Sequence, residues 1–287
     1  MKKIGFIGVG IMGKSMVRNL MKNGFEVHIF ARNAVKVEDV IGEGAIFHDT
    51  IASLVKGRDV VITIVGYPHD VEEVYFEEGN ILDSADKGTY LIDMTTSSPM
   101  LAKKIYDKGI EKGMHPLDAP VTGGDIGAKN GTLAIMVGGD KKDYEACLPV
   151  FEAMGTNINY LGEAGAGQHC KLGNQILVSS ALAGVCEAFT YAKSKGLDLN
   201  DFMKAVSTGS GASRQLEMLG QKMIDQDYNP GFYLQHIVKD LQLALIEANM
   251  SELNLEVLSQ NLANFQELEQ EGYGKSGTQA LIKYYES

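Results

Sequence analysis

The chain has 287 residues, 45% apolar and 22% charged, and its 37 acidic against 26 basic residues give a net charge of −11. That apolar share excludes a disordered chain, and the acidic balance argues against a binder of nucleic acid or anionic membrane. Glycine, at 33 residues, exceeds its usual share of about 7% and marks the loops where chemistry is to be sought.

In chain order, the N-terminal Met1-Lys2-Lys3 and the apolar run after it superficially resemble a leader. Interrupting glycines, and Lys14 and Arg18 just beyond, argue against one. Short β-branched runs at residues 3–8, 26–30, 60–64, 90–93, 117–119 and 133–137 predict strands. The runs at 4–7 and 60–64 are apolar on both faces, as central parallel strands are. Helical spacing lies between them (Met12, Met16, Leu20 and Met21; then Ala102, Ile105 and Tyr106). This alternation predicts an α/β Rossmann-type doubly wound sheet.

After about residue 161 every segment reads as helix: 166–195, 199–206, 215–225, 233–249, 255–271 and 278–286. The expected organisation is a dinucleotide-binding domain at 1–164 and an all-α C-terminal domain at 165–287. The weakly polar run 172–186 contains Asn174 and Gln175 and is shorter than the ~20 residues of a membrane span, so it predicts a buried helix and no membrane association. Cys147, Cys170 and Cys186 lack CxxC spacing, which argues against disulfides or zinc and predicts a cytoplasmic setting. His236 stands one helical turn from Asp240, too few ligands for a metal, and no metal is expected.

Gly8-Val9-Gly10-Ile11-Met12-Gly13 is a GxGxxG between a predicted strand and a predicted helix. Gly8 permits the tight turn, Gly10 lets backbone approach a pyrophosphate, and Gly13 allows close helix–strand packing. With Ile11 and Met12 they form the expected phosphate-binding turn at a helix N-terminus. The next strand ends in Phe30-Ala31-Arg32-Asn33. An NAD site usually carries Asp or Glu here to accept from the ribose 2′-OH; Arg32, with Asn33 as a neutral donor, suits a 2′-phosphate. NADP is therefore the expected cofactor, with NAD as the alternative.

Four motifs in order resemble the β-hydroxyacid dehydrogenase family, which contains 3-hydroxyisobutyrate dehydrogenase and the glyoxylate/succinic semialdehyde reductases and is distantly related to 6-phosphogluconate dehydrogenase. They are the fingerprint; Asp118-Ala119-Pro120-Val121-Thr122-Gly123-Gly124 with Ala128 and Gly131; Gly165-Ala166-Gly167 with Lys171 and Asn174; and Lys239-Asp240-Leu241. The resemblance implies an NAD(P)-dependent oxidoreductase acting on CH–OH donors, and interconverting a small β-hydroxyacid and its semialdehyde. It implies that Thr122, Gly123 and Gly124 hold the substrate carboxylate, Thr122 standing where the family usually has Ser. It implies Lys171 as general acid/base, with Asn174 orienting substrate or lysine. Lys239, Thr96 and Val65 are implied on the cofactor, and Phe232 and Asp240 on the substrate side. A homodimer or homotetramer is implied as well.

Each assignment also has an alternative in the residues themselves. Lys171 and Asn174, three apart, share one helix face, and an ammonium can stabilise and protonate a developing alkoxide. His236 and Asp240 could instead be an ordinary i, i+4 surface pair. A non-catalytic dinucleotide sensor remains open because fold alone does not settle activity. Imine reductases are similar in fold, but they typically lack the catalytic lysine. In so acidic a chain, Arg32, Lys171, Lys239 and two glycine-rich helix starts must supply the local positive potential that anionic ligands need.

Overall fold

A computed structural model describes residues 1–286 and divides into two compact units, Met1–Lys171 and Leu172–Ser287. The first unit is built on one nine-stranded sheet. Its strands are β1 (Lys3–Ile7), β2 (Glu26–Phe30), β3 (Ile46–His48), β4 (Val60–Thr63), β5 (Tyr90–Asp93), β6 (His115–Asp118), β7 (Val121–Thr122), β8 (Leu133–Gly139) and β9 (Gly155–Gly162). The order β3-β2-β1-β4-β5-β6 is parallel throughout, which is the doubly wound dinucleotide-binding arrangement. Beyond it, β8 runs antiparallel to β6 and β7, while β9 pairs parallel on its other side.

All four residues of β4 are buried, as are Ile4, Phe6 and Ile7 in β1. Two apolar clusters cover the sheet. One gathers Phe6, Met16, Leu20 and Ile62, and the other gathers Ile7, Leu54, Val61 and Tyr75. Met16 and Leu20 lie on the inward stripe of the Ile11–Lys22 helix, which follows β1 directly.

Three strands were not legible in the sequence. β3 and β7 have three and two residues, too few for a periodic signal. In β9, polar residues and glycines break the pattern, and half of its positions are exposed. The doubly wound sheet is parallel-dominated as expected, with β8 its antiparallel addition.

The second unit is helical: Leu199–Val206, Arg214–Ile224, Leu234–Met250, Glu256–Gln270 and a 3-10 turn, Thr278–Leu281, running into Ile282–Glu286. Phe189, Leu234, Leu241 and Phe265 are among its core residues. The long helix Ala166–Ser194 begins in the first unit and continues into the second. The division thus falls within its second turn, a little beyond the sequence boundary at 164/165, because the first turn is hydrogen-bonded back to β6 and the loop after β5.

This helix has 29 residues and is long and apolar enough to cross a membrane by length and composition. That corrects the shorter run estimated from sequence. Its buried positions are nonetheless those of a core helix, with Leu182, Cys186 and Phe189 in the apolar cluster and the buried polar Gln175 hydrogen-bonded within the protein.

Candidate active site

The glycine turn after β1 is built as its sequence requires. Gly8 has φ of +98°, and a Cβ there would strike the Ile64 backbone carbonyl. A Cβ on Gly13 would strike the Gly8 carbonyl, so the Ile11–Lys22 helix can lie against β1 only with glycine at that position. Around Gly10, by contrast, a Cβ would meet nothing within 4 Å. The first-turn N–H groups of the helix have no intrahelical acceptor, and its first turn holds no acidic residue. An open, donor-rich cradle of this kind fits a pyrophosphate. Ile11 is 59% exposed and Met12 half-buried at its mouth.

Around this turn, the ends of β2, β4 and β5 bring four further residues expected on the cofactor, Arg32, Asn33, Val65 and Thr96. Arg32 lies just past β2 with its side chain 78% exposed, and its Nη2 is 3.5 Å from Asp70 Oδ1. Asn33 is committed locally, its side-chain oxygen accepting from Val35 N–H at 3.0 Å to cap a 3-10 turn. Val65 follows β4 and donates its N–H to Thr95 Oγ1 at 3.0 Å. Thr96, next in the loop after β5, is half-buried.

A buried carboxylate joins the long helix to the sheet. Asp118, at the end of β6, accepts from the N–H of Gly165 at 2.7 Å and of Gln168 at 2.9 Å, capping the start of Ala166–Ser194. Burial pushes its pKa up, against the opposing pull of those backbone donors. Gly167 has no room for a side chain, since a Cβ would crowd both the backbone and the carboxylate of Asp118. Gln168 completes the joint, its Oε1 accepting from Ser97 N–H at 2.9 Å and its Nε2 donating to Thr95 O at 2.7 Å. Lys171, one turn further along, is 6% exposed. A lone lysine in a helix is ordinarily a solvated charge, and this one is not.

Thr122 ends β7, and the two residues after it take left-handed backbone, Gly123 at φ +127° and Gly124 at +64°. The short helix Gly124–Asn130 follows, so the glycine-rich loop stands at a helix start as the sequence implied.

In the helical unit, Asn174, Lys239 and Asp240 share one polar network. Asp240 is 1% exposed, and its Oδ2 accepts from Gln175 Nε2 at 2.7 Å. Gln175 Oε1 in turn accepts from Asn174 Nδ2 at 2.8 Å. Lys239 Nζ lies 2.9 Å from Asp240 Oδ1. Burial of Asp240 overturns the surface-pair alternative with His236, a half-buried ring whose pKa burial lowers. Phe232 is half-buried against the helical core, its ring centroid 6.1 Å from that of His236.

Gln175, Gln168 and Asp70 were missed in the sequence. Single polar side chains whose partners lie 65, 71 and 38 positions away leave no local signature. Two of the cations expected to attract anions, Arg32 and Lys239, each stand beside a carboxylate, so the local positive potential is smaller than a count of basic residues suggests. Among the described residues, no group of three or more His, Cys, Asp or Glu side chains is placed to hold a metal.

A parallel sheet of this order with a glycine turn after its first strand is the framework of a dinucleotide-binding protein. Residues 3–162 match the family described as the NAD binding domain of 6-phosphogluconate dehydrogenase, and residues 165–285 match the NAD-binding family of NADP-dependent 3-hydroxyisobutyrate dehydrogenase. The chain is 48% identical over 284 residues to the uncharacterized oxidoreductase YkwC of Bacillus subtilis (strain 168), covering 99% of each. It is 40% identical over 266 residues to the 2-hydroxy-3-oxopropionate reductase of Escherichia coli (strain K12), covering 93% of this chain and 89% of that one. The structure of Mycobacterium tuberculosis 3-hydroxyisobutyrate dehydrogenase with L-serine superposes with a TM-score of 0.90 at 27% identity over the whole of both chains. The chain belongs to the β-hydroxyacid dehydrogenase family of NAD(P)-binding oxidoreductases.

Proposed function

We propose that the protein interconverts a small β-hydroxyacid and its semialdehyde or oxoacid, with NADPH preferred over NADH. The observation that carries this reading is a lysine kept buried on the helix that Asp118 and Gln168 anchor, in a chain that also has the Thr122-Gly123-Gly124 loop. A solvated lysine would need neither burial nor an anchored helix start. The reductase and dehydrogenase relatives support the same reaction class.

The nicotinamide, when bound, supplies or accepts the hydride. In this reading Gly8, Gly10, Ile11, Met12 and Gly13 hold the pyrophosphate, with Arg32 and Asn33 at the adenosine ribose and Val65, Thr96 and Lys239 along the rest of the cofactor. The Thr122 hydroxyl and the backbone N–H groups of Gly123 and Gly124 bind the substrate carboxylate. The Lys171 ammonium stabilises the oxygen that gains charge and delivers its proton there; in the reverse direction the neutral amine removes it. Asn174 is oriented by Gln175, and Asp240 and Phe232 complete the substrate side. Association into a homodimer or homotetramer belongs to this reading, and light scattering checks it.

A panel of C2–C4 oxoacids and semialdehydes, assayed with NADPH and with NADH and with a cyclic imine as control, tests the proposal. Oxidation of NADPH by one or more of the carboxylate-bearing aldehydes is expected, and turnover of the imine alone would overturn it. Lys171→Ala should lower kcat by about 10²–10⁴-fold with NADPH affinity little changed. Equal loss of both would remove the assigned role.

A further inference from the structure

The end of β2 carries an arginine where NAD-binding sheets usually carry a carboxylate, yet a carboxylate is present close by on another element. Asp70 belongs to the first turn of the Pro68–Phe76 helix, just past β4. β2 and β4 flank β1 on either side, so both enter the region of the glycine turn from neighbouring strands. Asp70 Oδ2 accepts the Tyr67 N–H at 3.0 Å, which anchors the side chain at 13% exposure. Its other oxygen faces the exposed Arg32 guanidinium at 3.5 Å. His69, 76% exposed, has its Nε2 3.9 Å from Asp70 Oδ2 and adds charge to this cluster only when protonated.

We propose that Asp70 is a specificity-determining residue for the cofactor, acting with Arg32 at the adenosine ribose. The proposal rests on the reading of Arg32 as the cation that meets a 2′-phosphate. A phosphate bound by Arg32 comes within reach of the Asp70 charge, which repels it and already occupies part of the guanidinium. A ribose 2′-hydroxyl finds in Asp70 the acceptor that the end of β2 lacks. The anchored carboxylate therefore narrows the gap between NADPH and NADH that Arg32 alone would create. A helix cap with no further role would use the side-chain oxygens and not the charge, and the two are separable.

Asp70→Asn keeps an oxygen for the Tyr67 N–H and removes only the charge. Dissociation constants for NADPH and NADH, measured by fluorescence titration at low ionic strength, are the readout. The variant should bind NADPH about three- to tenfold more tightly and NADH equally or slightly more weakly, the gain shrinking as salt is added. A ratio of the two constants within about twofold of wild type overturns the assignment, as does an equal change in both. Arg32→Ala tests the parent reading separately and should weaken NADPH about tenfold or more while sparing NADH. If Arg32→Ala behaves so and the Asp70→Asn ratio is flat, Asp70 alone loses its role; if Arg32→Ala is itself unselective, both readings fall. Should Asp70→Asn not fold, Asp70→Ser, which is also neutral and keeps a hydroxyl, carries the same test.

Discussion

The two units deliver polar groups in opposite ways. In the first, the turn after β1 and the loop after β7 present main chain at two helix starts, and at Gly10 and Gly124 a Cβ would meet nothing within 4 Å. In the second, Lys239, Asp240, Gln175 and Asn174 form a chain of side-chain contacts between two helices, and no glycine takes part. Backbone donors are fixed by the fold and need little further support. A buried side-chain network must satisfy every member, since a half-satisfied one is costly. Damage should therefore act through backbone geometry in the first region and through stranded partners in the second.

The largest effect is expected at Gly13. Gly13→Ala places a methyl against the Gly8 carbonyl, and should weaken NADPH binding by about 100-fold or more, or prevent folding outright. A variant that binds NADPH normally in a titration would show that the turn tolerates separation of helix and strand. Next is Gln175→Leu, which strips Asp240 Oδ2 and Asn174 of their partner. A loss of roughly 2–4 kcal/mol in urea unfolding is expected, with a fall in kcat beyond that of stability-matched controls. An unchanged kcat would leave the network purely structural.

Asp93 offers a pH-dependent test in the first unit. It is buried at the end of β5, accepts from Thr63 Oγ1 at 2.8 Å and from Thr95 N–H at 3.1 Å, and burial raises its pKa to about 6. A carboxyl whose pKa is raised on folding favours the native state when protonated. Its contribution is complete below the ordinary carboxylate value of about 4 and is lost as pH rises through about 6. Asp93→Asn should therefore stabilise the protein at pH 8 by roughly 1–3 kcal/mol, with the difference closing below about pH 4. A gain independent of pH would exclude this carboxyl as its source.

The smallest effect is expected at Ser97, whose Oγ is buried without a hydrogen-bond partner although its N–H is held by Gln168. Ser97→Ala should be neutral or stabilising by up to about 1 kcal/mol in thermal unfolding. A marked loss would reveal a partner for the hydroxyl.

Most of the fold was legible because strand and helix periods are local: both apolar faces of β1 and β4, the helical spacing of Met16 and Leu20, and the change to continuous helix after residue 161. The glycine turn was legible for the same reason, since a steric requirement for glycine is written at the position where it acts. β3, β7 and β9 were not, being too short or too exposed to print a pattern, and neither was the antiparallel course of β8, which depends on where β6 and β7 lie.

The sequence by itself determined the sheet-then-helices order, the dinucleotide turn, and the family to which Lys171 and its neighbouring motifs belong. Only the tertiary structure decided which carboxylates stand beside the cations, Asp70 at Arg32 and Asp240 at Lys239, and that Asp118 caps the long helix. The reason is physical. Conformational preference acts over a few residues, whereas an ion pair or a cap depends on distance in space, and Arg32 and Asp70, 38 positions apart, meet only because β2 and β4 flank the same strand.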